Sequence, residues 1–383
     1  GKDSDISGKN LTFVDKIAIM KDKILITAPL PPPIHGMSIA TKMLIDGLTD
    51  YDIVTIDTTM DRKHIINKQP SPFHPKRFGS ILQKLFVDSF RMLTTSYDLH
   101  YICTGIDFRG VVRFLPYVII SRLKRKPYYI HVHNSSFRTM YDSLSGNKQR
   151  IVRFIFGNAA GVIALGESLK KLFDGVVAEE HLYVVENCVD NEFFSSQEEI
   201  EKKHKRPTNT RKILYLSNLM RDKGIFELME AAAEIKNCEL HIAGAIEQNP
   251  QSAAKVKEML EKHKDKFFYH GIVAGEAKKT LLKECDIFAL PSRSEGQPIS
   301  ILEAYANGLA VVTDEECGGI RDIFCDGVNG YSCTAGDVES IKKAIEKTSD
   351  SLSDFIEPNY KYALSKFKRS DFIARVRAVF SND

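Results

Sequence analysis

The 383-residue chain has no long apolar run. Its longest candidate, FLPYVII at 114–120, contains Pro116 and falls far short of the ~18–20 residues that cross a bilayer as a helix. The start, GKDSDISGKNLTFVDKIAIM, is no secretory signal, because its apolar part is short and broken by charge. Residues 1–19 read instead as a leader, disordered or artificial. A disulfide framework is also lacking. The seven cysteines (Cys103, Cys188, Cys238, Cys285, Cys317, Cys325, Cys333) are odd in number and none sits in a C-x-x-C pair, which excludes a stapled miniprotein and a zinc ribbon. Most fall in or beside apolar runs and read as reduced core thiols, which points to the cytoplasm. Charge of one sign is scarce too. Lys and Arg number 53 against 50 Asp and Glu, a balance that argues against a dedicated nucleic-acid binder.

With 43% hydrophobic and 27% charged residues, the chain has the composition of a globular protein, and its length fits two domains that each bury a core. The charge is uneven. Residues 61–150 hold 16 basic and 5 acidic side chains, among them Lys76, Arg77, Arg122, Lys124, Arg125 and Lys126. This run is either a solvated face or a surface for an anionic partner.

Strands and helices alternate through the first half. Residues 24–28 (ILITA) form a continuous apolar run, as in a strand buried on both faces. Further strands are expected at 53–56, 99–103, 128–133, 162–165 and 182–186. Helices are expected at 38–48, 80–93, 108–123, 151–157 and 168–173. In the helix over 80–93, Ile81, Leu85, Phe86, Phe90 and Leu93 are expected to share one face. The polar stretch SSQEEIEKKHKRPTNTR at 195–211 reads as a linker or exposed excursion. The series then restarts, with strands at 212–217, 239–243, 267–270, 287–290 and 310–313, and helices at 225–235, 252–263, 277–285 and 299–306. Asp337 is placed to cap a helix to 347, and the tail over 353–380 is helical. The domains are therefore 20–195 and 212–352, joined by 196–211 and followed by 353–383. The predicted class is α/β: two Rossmann-like, doubly wound domains facing a central cleft. The last helix is expected to cross back to the first domain through Phe372, Ala374, Val376, Val379 and Phe380.

Four stretches carry chemistry. The first is PSRSEGQPISILEAYANG at 291–308, where seven residues separate Glu295 from Glu303. Pro298 suits the first turn of a helix, so Glu295 precedes the helix and Glu303 lies inside it. The free N–H groups around Gly296, Gln297, Pro298 and Ile299 make a diphosphate site at the helix start. Glu303 can accept from a ribose diol, and Glu295 can grip the neighbouring sugar. The second is YLSNLMRDKG at 215–224, in which Lys223 is a point charge suited to a phosphate. The third is PLPPPIHGM at 29–37, where Gly36 before a helix allows close backbone approach to a ligand. In the fourth, YIHVHNSSF at 129–137, His131 and His133 lie two apart at a strand end and face the same way. No third ligand of clear spacing accompanies them, so no metal site is assigned, and His131 reads as a core histidine.

These elements together resemble the retaining glycosyltransferases of the GT-B fold, family 4, whose hallmark is the E-x7-E element. The resemblance covers most of the chain from about residue 24. It extends to GLAVVTDEECGGIRDIF at 308–324, with Gly318 and Gly319 in the turn, and to DGVNGYSC at 326–333. It implies donor contacts from Gly36, Met37, Asn218, Arg221, Lys223, Glu295, Gly296, Gln297, Pro298, Ile299 and Glu303, with Glu295, His133 and Lys223 catalytic. Several positions depart from the family pattern. Asn218 stands where the family has Arg, which Arg221 is placed to replace. Met37, Asn134 and Cys188 stand for glycines, and Asp322 stands for Glu. ENCVDNEFF at 186–194 resembles the family's junction segment, with Asn187 structural, and Gly166-Glu167-Ser168 resembles its cleft-facing helix start.

The activity implied is transfer of a sugar from a nucleotide-sugar donor, such as a UDP- or GDP-sugar, to an acceptor hydroxyl with retained configuration, without a metal or other cofactor. The implied setting is bacterial capsule or O-antigen synthesis on a glycan or lipid-linked acceptor. An anionic membrane surface then becomes a partner for the basic run, nucleic acid does not, and the location is cytoplasmic or peripheral on the inner membrane face. The alternatives are a nucleotide-sugar epimerase on the same fold and a non-catalytic nucleotide-sugar-binding subunit.

Overall fold

The computed structural model describes residues 22–32, 34–59, 75–206 and 210–381, with the backbone alone at 75–78. The expected leader at 1–19 and residues 61–74 of the basic run lie outside them. The chain forms two wholly parallel six-stranded sheets. The first contains β1 (Lys23–Ala28), β2 (Asp52–Asp57), β3 (Leu99–Cys103), β4 (Tyr128–His131), β5 (Gly161–Ala164) and β6 (Leu182–Val184), in the order β2-β1-β3-β4-β5-β6. The second contains β7 (Arg211–Leu216), β8 (Cys238–Ala243), β9 (Phe267–Tyr269), β10 (Ile287–Leu290), β11 (Ala310–Thr313) and β12 (Gly330–Ser332), in the order β12-β11-β10-β7-β8-β9. Strands β3, β4, β5, β10 and β11 are buried along their whole length, which accounts for their largely apolar sequences. In the second sheet the winding reverses between β7 and β10. The loops that leave their carboxyl ends therefore diverge and open a crevice.

The second sheet has one large core, while the first is covered on both faces by separate clusters. One of these clusters is completed from the far end of the chain. Helix Arg369–Phe380 returns to the first domain and buries Phe372, Ile373, Val376 and Val379 there. The Phe380 ring lies 5.2 Å from that of Tyr129. Ala374 is exposed, and Ile373 takes the contact expected of it, because the helical period places 372, 373, 376 and 379 on one face.

Other expectations change as well. The single helix over 108–123 is two, Phe108–Val112 and Leu115–Leu123, because Pro116 sits in the first turn of the second. Strand β4 ends at His131, so His133 belongs to the following loop. The polar stretch at 195–211 holds a helix, Gln197–Lys205, started by a reciprocal cap in which Ser196 and Glu199 bond each other's backbone N–H groups. Its Ile200 packs with Ile356 and Tyr360, and its buried Lys203 donates to the carbonyls of Leu282, Cys285 and Asn307. Helix Pro75–Thr94 does not gather its apolar residues on one face. Met92 is buried and Ile81 and Leu85 are partly buried, whereas Leu82, Phe86, Phe90 and Leu93 point outward. No helix among the described residues is long and apolar enough to cross a membrane.

Candidate active site

The crevice between β7 and β10 is lined by two loops that lock together. After β7 the chain makes a short 3-10 turn, Arg221–Lys223, and reaches Gly224 at φ 72°, a left-handed conformation that glycine adopts freely. A side chain there would also overlap the Pro291 carbonyl, so glycine lets the two loops touch. Ser292 and Arg293 both donate to the carbonyl of Asp222. Lys223 thereby reaches across, its Nζ 2.6 Å from Glu295 Oε1 and 3.2 Å from the Ser294 carbonyl oxygen. Two predicted site residues from different loops therefore meet at the switch point.

Helix Ile299–Ala306 begins where the sequence placed it, with Pro298 as its cap. Glu303, inside that helix, is only 2% exposed, and burial pushes its carboxyl upward. Lys278, from helix Gly275–Glu284, answers with Nζ at 2.6 Å from Oε1 and lies 4.5 Å from the ring centre of Phe193. No local pattern announced Lys278, since it meets Glu303 only through tertiary packing.

The first domain closes on the Glu295 loop from the other side. A side chain on Gly296 would crowd the His133 carbonyl, and Ser135 Oγ lies 3.3 Å from Ser294 Oγ. The glycine pair Gly318-Gly319 lies against the carbonyls of Glu295 and Gly296, leaving no room for a β-carbon at either position. His133 is half-buried, yet both of its ring nitrogens are covered and make no hydrogen bond among the described residues. Burial, with His35 nearby, pulls its pKa down to about 3, so the ring is neutral at neutral pH. His131 stacks on it at 4.1 Å and bonds Tyr101 Oη through Nδ1 at 2.5 Å, the arrangement of a core histidine. Among the described residues no three His, Cys, Asp or Glu side chains gather as a metal site. Asp50 and Asp52 flank Tyr51 at the start of β2. There Asp52 pairs with Lys23 and Asp50 with Arg377.

The Gly36 loop runs straight into a helix. His35 caps helix Gly36–Gly47, its Nδ1 accepting from Ser38 N–H while Ser38 Oγ accepts from His35 N–H. A β-carbon on Gly36 would touch no protein atom within 4 Å. Met37 is partly buried against the first domain's core.

Three residues assigned to the donor also make contacts within the protein. Gln297 is 4% exposed and commits its side chain across the cleft, accepting from Asn187 N–H at 2.6 Å and donating to the Leu165 carbonyl at 3.0 Å. Asn187 Nδ2 returns a bond to the Gln297 carbonyl at 2.8 Å, the structural role expected of it. Ile299 buries its side chain in the first domain's core. Asn218 uses its carbonyl to accept from Tyr215 Oη and from Met220 N–H. Arg221 is exposed and its guanidinium joins no ion pair among the described residues. Asp322, which stands for the family's Glu, and Ser168, in the segment resembling the cleft-facing helix start, join the two domains directly. Ser168 Oγ donates to Asp322 Oδ2 at 2.6 Å, and Ser168 N–H lies 3.1 and 3.2 Å from the two carboxylate oxygens.

The architecture defines a class. Two parallel sheets facing a cleft, with the site at the switch point of the second, form the GT-B fold. Over 94% of this chain it superposes on all of HepE of Anabaena, solved in complex with UDP-glucose, with a TM-score of 0.72 at 19% identity. Residues 196–356, the unit holding Lys223, Glu295 and Glu303, match the family model Glycosyl transferases group 1. Among curated proteins it is similar to a putative teichuronic acid biosynthesis glycosyltransferase, TuaC of Bacillus subtilis, at 27% identity over 54% of this chain and 51% of the relative. It is also similar to N,N'-diacetylbacillosaminyl-diphospho-undecaprenol alpha-1,3-N-acetylgalactosaminyltransferase of Campylobacter jejuni, at 28% identity over 55% of this chain and 57% of the relative. These matches span about half the length of the curated relatives.

Proposed function

We propose that the chain transfers a glycosyl group from a nucleotide sugar to an acceptor hydroxyl, with retention and without a metal, in the synthesis of a cell-surface glycan. The observation that carries the reading is the meeting of Lys223 and Glu295 beneath His133, at the point where two loops and two domains converge. Glycosyl transfer builds negative charge on the leaving nucleoside diphosphate. Lys223 and the N–H groups at the start of helix Ile299–Ala306 supply fixed positive potential there. Glu303, poised by Lys278, accepts from the ribose hydroxyls. Glu295 and neutral His133 hold the sugar. Both ring nitrogens of His133 are without a hydrogen-bond partner among the described residues, so they have capacity to spare for a substrate hydroxyl once the ring is uncovered.

For the donor, a UDP-sugar is the first choice, since HepE was solved with UDP-glucose. For the acceptor, the Campylobacter relative's name specifies a diphospho-undecaprenol, and a lipid diphosphate would suit the basic character of the first domain. The test is incubation with UDP- and GDP-sugars, with and without a lipid-diphosphate-linked sugar, while nucleoside diphosphate release is followed. Product NMR assigns the anomer, and a parallel reaction contains EDTA. Release that requires acceptor, gives the retained anomer and survives chelation is expected. No release with any donor would sink the reading.

A further inference from the structure

A helix on the surface of a globular domain needs one apolar stripe, and Pro75–Thr94 has two. The inner stripe is used. Met92 is buried, Leu85 packs against the core, and Asp88 is held by Tyr117 Oη at 3.2 Å and Lys84 at 3.1 Å. The outer stripe has no such explanation. Leu82, Phe86, Phe90 and Leu93 fall within one quadrant of the helix, and Phe86 and Phe90 are 74% and 61% exposed. Helix Leu115–Leu123 packs alongside and adds exposed Ile119 and Leu123.

The surroundings of this patch are basic. Arg91, Arg122 and Arg125 are exposed around it. Asp88 is the only acidic residue in 75–94, and its carboxylate is turned inward, so the outer face of that helix carries no negative charge. Lys124 spends its ammonium on the carbonyls of Met92, Leu93 and Thr95, tying the two helices into one rigid unit. Aromatic side chains on a helix that lies flat, with a cationic rim and no carboxylate, match the surface of an anionic phospholipid bilayer. A protein partner would call for complementary carboxylates and a shaped groove, and among the described residues the patch shows neither.

We propose that the face formed by helices Pro75–Thr94 and Leu115–Leu123 docks on an anionic phospholipid membrane, with Phe86 and Phe90 inserted among the acyl chains. This deepens the proposed function, since it would hold the first domain beside a lipid-linked acceptor, yet it stands on its own observations. It also assigns the basic run a role secondary to the apolar face. The arginines steer and hold the domain on the surface, and the aromatic pair supplies most of the hold.

The test needs neither donor nor acceptor, so it is independent of any failure to find glycosyl transfer. The full chain is sedimented with vesicles of phosphatidylglycerol and phosphatidylcholine, and with phosphatidylcholine alone. Binding to the anionic vesicles is expected, falling about tenfold or more in Phe86→Ser/Phe90→Ser. A smaller, salt-sensitive loss is expected in Arg122→Gln/Arg125→Gln. Both pairs are exposed, so thermal unfolding should stay near that of the parent, and a folded variant makes the comparison valid. Indifference of the parent to both vesicle types would overturn the proposal. So would equal binding by the serine variant, or a concentration-dependent dimer that the serine variant abolishes.

Discussion

Asp322, in the second domain, holds Ser168 of the first through three hydrogen-bond contacts, two to the backbone N–H and one of 2.6 Å to the hydroxyl. The neighbouring Gly166 has no room for a β-carbon because the same carboxylate fills that space. Asp322 is the residue that departs from the Glu of the family pattern, and the geometry accounts for the departure. A longer side chain would drive its carboxylate into the Gly166–Ser168 backbone. With Gln297 bridging Asn187 and Leu165, this pair fixes how the two halves of the cleft meet.

Asp322→Ala should therefore weaken closure, by about 1.5–3 kcal/mol as hydrogen bonds to a charged group go, reduced by partial exposure. Asp322→Glu and Gly166→Ala should each resemble it by steric means. Small-angle scattering in solution is expected to show a larger radius of gyration for all three. An unchanged radius in Gly166→Ala would mean that this contact does not control closure.

How far the sequence reveals this arrangement depends on range. Helix Ile299–Ala306 is legible because Pro298 and the apolar LEA turn mark it locally, and the strands are legible because their runs are largely apolar. Glu295 and Lys223 are legible as chemical types in loops at strand ends. What stays hidden is pairing at a distance. Ser168 and Asp322 are 154 residues apart, and Lys278 reaches Glu303 from another helix, with no periodicity to announce either. That packing turns the Gln297 amide toward the other domain, onto Asn187 and Leu165, is equally invisible in the sequence. Helix Pro75–Thr94 misled for the opposite reason. Its apolar residues are frequent enough to fit a single face by eye, but at 100° per residue Leu85 and Phe86 point apart.

Acid should destabilise the first domain through buried histidines. His131 is driven well below its ordinary value, and His133 and His100 are pulled to about 3, in each case chiefly by burial. The unfolded chain takes up these protons near pH 6.5 while the native state does not. Stability is therefore full above about 6.5 and is lost as pH falls toward 3, at up to about 1.4 kcal/mol per unit for each group. Urea midpoints should drop between pH 7.5 and 5.5, and His133→Asn should flatten that drop. An identical slope in the variant would remove His133 from the account.

Lys278→Ala should leave Glu303 as a buried carboxylate without its cation, an arrangement that costs about 3–5 kcal/mol. The sign of its pH dependence follows from the upward shift. A carboxyl raised in the native state holds its proton longer than in the unfolded chain, so the deficit is small at low pH and grows as pH rises. Unfolding at pH 5 and pH 8 should show the larger loss at pH 8. Lys278→Ala/Glu303→Gln should recover much of the stability but not donor affinity.

Lys223 can be asked whether it serves the leaving group or merely neutralises Glu295, because the two roles predict opposite double variants. Lys223→Met leaves Glu295 unpaired in a site where its carboxylate is mostly covered. If neutralisation is the whole role, Lys223→Met/Glu295→Gln removes both charges and should turn over no more slowly than Glu295→Gln alone, and the cycle would show strong coupling. If the ammonium stabilises the departing diphosphate, it acts on charge that develops only in the transition state. The double variant is then slower than Glu295→Gln alone, with kcat down by a further factor of about 10²–10³ and KM changed far less. The second outcome is expected. It follows from the geometry as well as the chemistry, since Nζ already contacts both Glu295 and the Ser294 carbonyl and so is held in place before any donor arrives. Steady-state kinetics of the parent, both single variants and the double, at saturating acceptor, separate the two.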